Sequence, residues 1–425
     1  MTLLNSQDRA LRERAEAVIP NGMYGHQSVR ALPDNFPQFF ARAKGARLWD
    51  ADGNEYLDFM CGYGPNLLGY AHPKIDAAAL RQQQLGDAMT GPAPVMVELA
   101  EKFVSMISHA DWAIFCKNGT DATTMAMMAA RAHAKKRKIL VAKGAYHGSS
   151  PWCTPRPTGT VPDDRAHSIA YVYNDVASLE AAAIAAGDDL AGIIASPFKH
   201  DAFVDQQMPE AAYAKRARAI CDEKNALLIV DDVRAGFRMA RDCSWSLIGV
   251  QPDLSCWGKA IANGYPISAL LGSNKARAAA SQLYVTGSYW FAAVAMAASL
   301  ATLNEIENTD YLERTQSLAS RLREGFDGAA RAHGFGIRQT GPAQMPLILF
   351  DDDRDLRIGY GWASEMVKRG VYVHPWHNMF MCAALTDADI DQALDAADGA
   401  FKAMKANRST LEPHPALLAM MASRG

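Results

Sequence analysis

A lysine and an aspartate lie at the ends of two apolar segments and could together serve one cofactor. Lys259 lies in SCWGKAIANGYPI, 28 positions (259 − 231) after Asp231, which closes the apolar run ALLIVDD. A buried amine can bind the aldehyde of pyridoxal phosphate as a Schiff base, while a carboxylate keeps its pyridine nitrogen protonated, so that the ring accepts electrons. The pair therefore predicts a pyridoxal phosphate site with Lys259 and Asp231 as its catalytic residues.

The neighbours of the lysine support this interpretation. Trp257, Gly258, Ala260 and Ile261 are not typical company for a solvated surface charge, which is the alternative for Lys259. Burial would lower the pKa of the amine and make it a competent nucleophile and base.

A phosphate-binding motif is predicted where the run WAIFC meets a helical segment. Gly119 and Thr120 would offer free backbone N–H groups, a hydroxyl and the positive end of a helix dipole, which together bind a phosphate. The alternative is that Thr120 only caps the helix, and the motif taken alone favours the cap.

Three further residues near strand ends could contact a flat ring. Tyr146 and His147 follow the run KILVAK, where an aromatic ring could stack on a heteroaromatic ligand. Val233 lies two residues after Asp231, on the same side of an extended chain, and could contact the opposite face of the ring. The alternatives are a surface loop for Tyr146 and His147, and a plain core position for Val233.

Other cofactor classes are disfavoured. The pair Asp231-Asp232 could bind a metal ion, but the chain lacks both G-x-x-x-x-G-K-[ST] and the dinucleotide motif G-x-G-x-x-G. Its seven cysteines are scattered without a C-x-x-C pair, which argues against a zinc site and a disulfide framework. We therefore expect no metal and a cytoplasmic location.

The composition limits the classes of partner. A chain of 425 residues with 49% hydrophobic residues can form a large domain and a smaller one. A net charge of −3 creates no field that attracts nucleic acid or an anionic membrane surface. No stretch approaches the roughly 20 apolar residues of a membrane span, and the N-terminus lacks the apolar core of a signal peptide.

Alternating apolar runs and helical segments must position these residues. Six runs, DWAIFC, KILVAK, AGIIAS, ALLIVDD, LSCW and ISALLGS, alternate with Ala-rich segments, which predicts an α/β fold with a mostly parallel sheet covered on both faces. Ligands of such sheets bind beyond the carboxyl ends of the strands, where the motifs above fall.

Shorter elements flank this region. A polar helix is predicted over 4–18 and a hairpin over 41–59, with Asp52-Gly53 supplying the positive φ angles of its turn. Strands at MPLILF and VYVHP and a C-terminal helix or tail are predicted after residue 310. We divide the chain into 1–65, the N-terminal segment of a small domain, 66–310, a large cofactor-binding domain, and 311–425, the C-terminal small domain.

Five separated motifs, NGTDAT, GAYHG, LIVDDVRAGFR, PDLSCWGKAIANGYPI and TGSYWFAAVAMAA, fall in the order and spacing of class III aminotransferases. From about residue 16 to 400 the chain resembles this fold type I pyridoxal phosphate family. IPNGMYGHQSVRA and GYGPNLLGYAHP resemble the subgroup that contains glutamate-1-semialdehyde aminomutase. Within the family, the chain resembles aminotransferases that deaminate hydrolysed fumonisins, which are long-chain amines, with pyruvate as acceptor.

The resemblance implies a seven-stranded, mostly parallel sheet, a homodimer and a role for each matched residue. Lys259 would hold the cofactor, Asp231 would pair with its pyridinium, and Tyr146 and Val233 would sandwich the ring beside His147. The phosphate would bind Gly119 and Thr120, completed from the partner chain by the segment Thr286, Gly287 and Ser288, where relatives carry Gly-Thr.

Two departures from the family bear on the substrate. Many relatives carry Glu-Pro where this chain has Ser196-Pro197, which removes a carboxylate near the cofactor. Amine transaminases of this class often bind the acceptor carboxylate through an arginine of the C-terminal domain, and VYVHPWHNMFMCAALTD contains none. Arg30 and Arg234 are the candidate replacements, because a guanidinium is the strongest ordinary partner of a carboxylate; a structural salt bridge is the alternative for each.

The segments that border the active site in relatives are rich in aromatic and soft side chains, which favours an apolar or extended amine over a dicarboxylate. Substrate contacts are predicted for Tyr24, Tyr63, Trp290 and Trp376, with Met23, Met89, Tyr289, Phe291 and Phe380 nearby. The predicted activity is ping-pong transfer of an amino group from a primary amine to a keto acid, pyruvate. An aminomutase or amino-acid racemase on the same fold, and a non-catalytic binding protein that kept the fold, are the alternatives.

Overall fold

The computed structural model describes residues 5–422. The N-terminal segment begins with helix α1 (Ser6–Val18) and continues in strands β1 (Phe40–Lys44), β2 (Arg47–Asp50) and β3 (Glu55–Asp58). The expected single hairpin is instead a three-stranded antiparallel ladder, because β2 pairs with both β1 and β3. Only Gly53 of the predicted turn has a positive φ, 85°. The Asp52 carboxylate accepts hydrogen bonds from the N–H groups of Gln7 and Asp8 and so caps α1.

The central region contains a seven-stranded sheet with helices on both faces. Its elements are α2 (Pro73–Leu85), α3 (Val95–Met106), β4 (Trp112–Cys116), α4 (Gly119–Ala134), β5 (Lys138–Ala142), β6 (Ser168–Tyr171), α5 (Val176–Ala186), β7 (Leu190–Ala195), α6 (Ala211–Glu223), β8 (Leu227–Asp231), β9 (Leu254–Trp257), β10 (Ser268–Gly272), α7 (Asn274–Ala280) and α8 (Ala293–Asn308). The strand order is β4-β10-β9-β8-β7-β5-β6, in which β10 runs antiparallel to both of its neighbours. The prediction of a mostly parallel sheet is thereby confirmed.

Six of the seven strands coincide with the six predicted apolar runs. β6, in the segment SIAYVY, was not predicted. It is the edge strand and only its last residue is fully buried, so its sequence carries no continuous apolar signal.

The interior strands are buried on both faces, which explains their unbroken apolar sequences. In β8, Leu227 and Ile229 belong to one core cluster, while Leu228 and Val230 belong to another. The alternation of successive side chains between the two faces of a strand therefore fills two separate helix–sheet layers.

The C-terminal region packs against the N-terminal strands. It comprises α9 (Tyr311–Ala332), β11 (Ile337–Thr340), β12 (Leu347–Phe350), α10 (Arg357–Lys368), β13 (Val371–Tyr372), α11 (Asp387–Ala406) and α12 (Pro415–Ala422). β13 pairs in parallel with β3, so residues from both ends of the chain share one four-stranded sheet and one core cluster. Leu417 of α12 is buried in a cluster with Leu347 and Tyr360, which places the predicted tail helix on this region.

Three strand ends position the candidate site. β8 ends at Asp231, β9 is followed by Gly258 and Lys259, and β4 is followed by the first turn of α4. β8 and β9 are parallel neighbours, and β4 runs in the same direction because β10 is antiparallel to both β4 and β9. Their carboxyl ends therefore meet at one edge of the sheet, where open α/β sheets bind ligands. Within residues 5–422, no helix is long and apolar enough to cross a lipid bilayer.

Candidate active site

Asp231 is fixed in orientation by two donors. Nδ1 of His147 lies 2.7 Å from Oδ2 of Asp231, and the backbone N–H of Val233 donates to Oδ1 at 3.2 Å. His147 is itself buried, and its carbonyl oxygen accepts a hydrogen bond from Thr123 of α4 at 2.7 Å. His147 thus links the carboxylate, which its ring contacts, to helix α4, which its carbonyl oxygen contacts. The sequence predicted this residue only as a cofactor contact.

Lys259 begins a short 3-10 turn directly after β9, with a left-handed backbone φ of 48°. Desolvation by burial lowers the pKa of its amine from 10.5 to about 7. That pKa already includes the repulsion from two nearby guanidinium groups, those of Arg234 and Arg238, and the opposing attraction of the Asp231 carboxylate. The surrounding charges therefore favour a neutral amine near physiological pH.

The N-terminus of α4 lies against the loop that carries His147. Helix α4 begins at Gly119, and Asn118 precedes it as N-cap, with its backbone N–H donating to Asp121 at 2.8 Å. The capping alternative for Thr120 is therefore wrong. Instead, the Thr120 hydroxyl accepts a hydrogen bond from the backbone N–H of Ser149 at 3.2 Å, inside the first helical turn.

Two glycines allow the close approach of these segments. A Cβ atom at Gly119 would lie 2.8 Å from Cγ1 of Val233, and one at Gly148 would lie 2.5 Å from Oγ1 of Thr120. Gly148 also has a φ of 124°, a conformation that other residues rarely adopt. Val233 is therefore packed beside the helix N-terminus, at the end of β8.

The predicted ring-stacking residue, Tyr146, is 38% exposed in the single chain. Burial of the rest of its side chain raises the pKa of its hydroxyl, while Arg234 lowers it through space. Tyr146 therefore lies within electrostatic range of Arg234 and of Asp231, which also acts on its pKa.

The segment that includes Thr286, Gly287 and Ser288 connects α7 to α8. Both hydroxyl-bearing residues are exposed in the single chain. Next to them, the indole nitrogen of Trp290 would lie 2.5 Å from a Cβ atom at Gly287, so the glycine permits the indole to fold back on this segment.

The two candidate arginines differ sharply. Arg30 is exposed and pairs with Glu16 at 3.2 Å and with the Asn21 amide oxygen at 3.3 Å. It is therefore a surface ion pair, the alternative named for it. Arg234 is partly buried and donates through Nη1 to the amide oxygen of Asn378 at 2.5 Å.

The predicted substrate contacts are spread over different environments. Tyr24 is 70% exposed, whereas the hydroxyl of Tyr63 donates to the carbonyl of His26 at 2.8 Å. Trp376 packs on Phe203 with ring centroids 4.7 Å apart. Of the remaining lining candidates, Met89 and Tyr289 are largely exposed, Met23 and Phe291 are partly buried, and Phe380 is fully buried.

Asp232 has a structural task. It is fully buried and accepts hydrogen bonds from both the backbone N–H and the hydroxyl of Ser244, which begins the next 3-10 turn. Burial raises the pKa of Asp232 to about 6. In the part of the chain that the structure describes, no cluster of histidine, cysteine or carboxylate side chains could hold a metal ion.

Two residues of the site escaped the sequence reasoning. Asn378 lies in the segment HPWHNMF, whose lack of an arginine was the only feature that the family pattern brought out. Arg238 is fully buried, donates to the carbonyl oxygens of Gly64 and Met381, and stacks on Phe380 at 4.8 Å. Its place in the quoted motif VRAGFR was the only signal.

The chain is similar to known proteins along most of its length. Residues 29–401 match the family model described as aminotransferase class-III. Aminopentol aminotransferase of Sphingopyxis macrogoltabida is 57% identical, over 97% of this chain and 98% of that protein. Glutamate-1-semialdehyde 2,1-aminomutase of Desulfitobacterium hafniense is 30% identical, over 94% and 99%. The PLP internal aldimine form of the FumI protein of Sphingopyxis sp. MTA144 has a TM-score of 0.96 at 57% identity, covering 97% of this chain and 100% of that chain.

The sheet topology, the site at its carboxyl edge and these similarities define a fold type I enzyme that depends on pyridoxal phosphate. The chain belongs to the class III aminotransferase family, and it is a transaminase that uses small-molecule amine and keto acid substrates. The predictions of family, fold class, cofactor and enzyme class are thereby confirmed.

Proposed function

We propose that this transaminase moves the amino group of a long-chain or bulky apolar primary amine to pyruvate by a ping-pong mechanism. The observation that carries the proposal is the 57% identity to aminopentol aminotransferase over almost the full length of both chains. The aromatic side chains around Tyr63, Trp376 and Phe380 are compatible with an apolar donor.

The residues present fit pyridoxal phosphate. Its aldehyde matches an amine with a pKa of about 7, and its ring nitrogen matches a carboxylate that an imidazole fixes in place. Its phosphate matches a helix N-terminus that two glycines leave open to close approach. We infer that Lys259 holds the aldehyde carbon, Asp231 the ring nitrogen, and Gly119 and Thr120 the phosphate. When bound, the cofactor supplies an electron sink for the negative charge that develops on the substrate carbon.

The protein's own groups perform the proton transfers. A neutral Lys259 amine can take the proton from the amine-bearing carbon of the substrate and would deliver it to the carbon that had been the cofactor's aldehyde, because its pKa of about 7 lies near the working pH. Asp231 is oriented by His147 and by the N–H of Val233, so its negative charge is fixed in direction before the cofactor binds. Tyr146 and Val233 would cover the cofactor ring and exclude water from it.

We also propose a cytoplasmic homodimer with shared sites. Thr286 and Ser288 are exposed in the single chain, which leaves both hydroxyls accessible to the phosphate site of a partner chain. Residues 66–310 would form the cofactor-binding domain, and residues 1–65 and 311–425 the small domain. The sheet shared by β3 and β13 supports that division.

Alanine formation tests the proposed function directly. Holoenzyme is incubated with primary amines of increasing chain length and pyruvate, and alanine is quantified by mass spectrometry. We expect alanine with long-chain amines, none with Lys259→Ala, and a loss of several orders of magnitude with Asp231→Ala. Lys74→Ala, which removes an exposed lysine paired with Glu305, is the matched control.

The same assay separates the alternatives. Isomerisation of the amine without alanine formation would favour the aminomutase or racemase and would contradict the proposal. The 30% identity to glutamate-1-semialdehyde 2,1-aminomutase is the reason to include this comparison. A protein that binds the cofactor but turns over no amine would favour the non-catalytic alternative.

A further inference from the structure

Arg234 is a partly buried guanidinium without an anionic partner. Among residues 5–422 it makes no ion pair, and its one hydrogen bond is donated by Nη1 to the neutral amide of Asn378. Burial lowers the pKa of Arg234 to about 10, which marks the cost of desolvating this charge. Buried charges are ordinarily paired, so an uncompensated one in a substrate site calls for an incoming anion.

The position of Arg234 ties it to the reacting centre. It directly follows Val233, the residue packed against Gly119 at the end of β8. Its partner Asn378 lies two residues before Phe380, and a Cβ atom at Gly64 would lie 2.9 Å from Phe380 and 3.4 Å from Cδ of Lys259. The guanidinium and the catalytic lysine are therefore presented by neighbouring segments, and Arg234 lowers the pKa of Lys259 through space.

The orientation of the guanidinium is fixed by its amide partner. Nδ2 of Asn378 donates to the carbonyl oxygen of Met379 at 3.0 Å, which directs Oδ1 towards Nη1 of Arg234. Nε and Nη2 of Arg234 make no hydrogen bond to any other residue that the structure describes. These two groups form the edge of a guanidinium that binds a carboxylate in bidentate fashion.

No carboxylate among residues 5–422 forms an ion pair with this charge. Burial and the Arg234 charge lower the pKa values of His200 and His377 well below 6.5, so both imidazoles are neutral. Of the two carboxylates that raise the pKa of Arg234, Asp231 is bonded to His147 and Asp201 lies 3.9 Å from the amine of Lys199.

We propose that Arg234, aligned by Asn378, binds the carboxylate of the keto acid acceptor. The inference rests on the proposed function, because it assigns the acceptor's carboxylate to one residue of the same site. The same guanidinium binds the carboxylate of alanine in the reverse reaction. A donor amine that has no carboxylate does not need it.

Two other arginines are already engaged. Both terminal nitrogens of Arg238 donate to backbone carbonyl oxygens, and its plane stacks on Phe380. Arg30 pairs with Glu16 on the surface. Of these three arginines, Arg234 is the one with a bidentate edge open and without a carboxylate.

Kinetics of three variants test the inference. In Arg234→Gln we expect the KM for pyruvate and for alanine to rise on the order of 100-fold, because a bidentate charge-assisted pair is lost. The KM for a long-chain primary amine and the rate of the half-reaction with that amine should each change less than threefold. Arg234→Lys keeps the charge but loses the planar fork, so an intermediate rise is expected.

A third variant leaves the arginine in place. Asn378→Asp puts a carboxylate 2.5 Å from Nη1 and should raise the KM for pyruvate by competing for the same guanidinium. Arg216→Gln is the matched control, because this arginine of α6 pairs with Glu180 and Glu223 and should leave every constant unchanged. Propionate, an unreactive carboxylate, is titrated into each holoenzyme and its binding is measured by calorimetry. Binding should be lost in Arg234→Gln and retained in Arg216→Gln.

The outcomes separate this inference from the proposed function. If the wild-type enzyme forms no alanine from amine and pyruvate, the proposed function fails. If it forms alanine, but Arg234→Gln retains the wild-type KM for pyruvate and still binds propionate, only the inference fails. An equal loss in the amine half-reaction would assign Arg234 to the cofactor and overturn the inference.

Discussion

Lys259 should titrate near neutrality in the cofactor-free protein. Burial, together with repulsion from the Arg234 and Arg238 charges, lowers the pKa of its amine to about 7. At pH 7.5 roughly three quarters of such an amine is neutral, compared with about one part in a thousand for an ordinary lysine with a pKa near 10.4. At this pH the larger neutral fraction alone should make Lys259 react with an electrophile several hundredfold faster than a lysine with an ordinary pKa.

Competitive labelling measures this titration without turnover. The cofactor is removed, the protein is treated briefly with acetic anhydride between pH 5.5 and 10, and acetylation of the peptide that contains Lys259 is quantified by mass spectrometry. The rate should level off above about pH 8, whereas an N-acetyl-lysine amide added as internal standard should continue to rise to about pH 10.

A variant checks the electrostatic cause. Arg234→Gln should move the midpoint for Lys259 to higher pH, because a charge that lowers its pKa is removed. A labelling rate at Lys259 that still rises tenfold per pH unit between pH 8 and 9.5 would refute the reasoning.

Three further results are expected. His147→Gln should slow the amine half-reaction about 10- to 100-fold, because hydrogen bonds to charged groups contribute ~1.5–3 kcal/mol. The control His333→Gln breaks an exposed pair with an aspartate and should not slow it. Equal single-turnover rates for the two variants would contradict the role of His147 in orienting Asp231. Gly148→Ala should weaken retention of the cofactor during dialysis more than Gly159→Ala does. Both glycines have a positive φ, but only the Cβ atom at position 148 would collide with a neighbour, Thr120. Equal retention would show that this collision does not disturb the cofactor site. In the cofactor-free protein, the lowered pKa of Lys259 should make the free energy of unfolding rise between pH 7 and about 10, because the unfolded chain binds the proton that the folded chain has lost. Chemical denaturation at several pH values measures this dependence. The same rise in Lys259→Met would contradict the expectation.

The sheet was predictable because its interior strands are buried on both faces. The unbroken apolar sequences of β7, β8 and β9 follow from that burial. β6 was missed because it is an edge strand whose residues are mostly only partly buried, so its sequence is not continuously apolar. The turn at Asp52-Gly53 was located correctly, but the third strand was not foreseen, because pairing of β1 with β2 depends on residues outside the turn.

Within the candidate site, residues in local motifs were easier to find than residues that act through distant partners. Asp231 ends one apolar strand and Lys259 follows the end of the next by two residues, which is a local signal. The contact between Arg234 and Asn378 joins residues 144 positions apart and involves a neutral amide, so no sequence pattern indicated it. The capping alternative for Thr120 failed because Asn118, two residues earlier, precedes the helix.

The left-handed backbone at position 259 has a consequence for folding. A side chain other than that of glycine or asparagine costs about 1 kcal/mol or more in this conformation, so catalysis here opposes folding. A Lys259→Gly protein should therefore be inert yet fold at least as well as its active parent in the absence of cofactor. Loss of turnover at this position is therefore separable from loss of the fold.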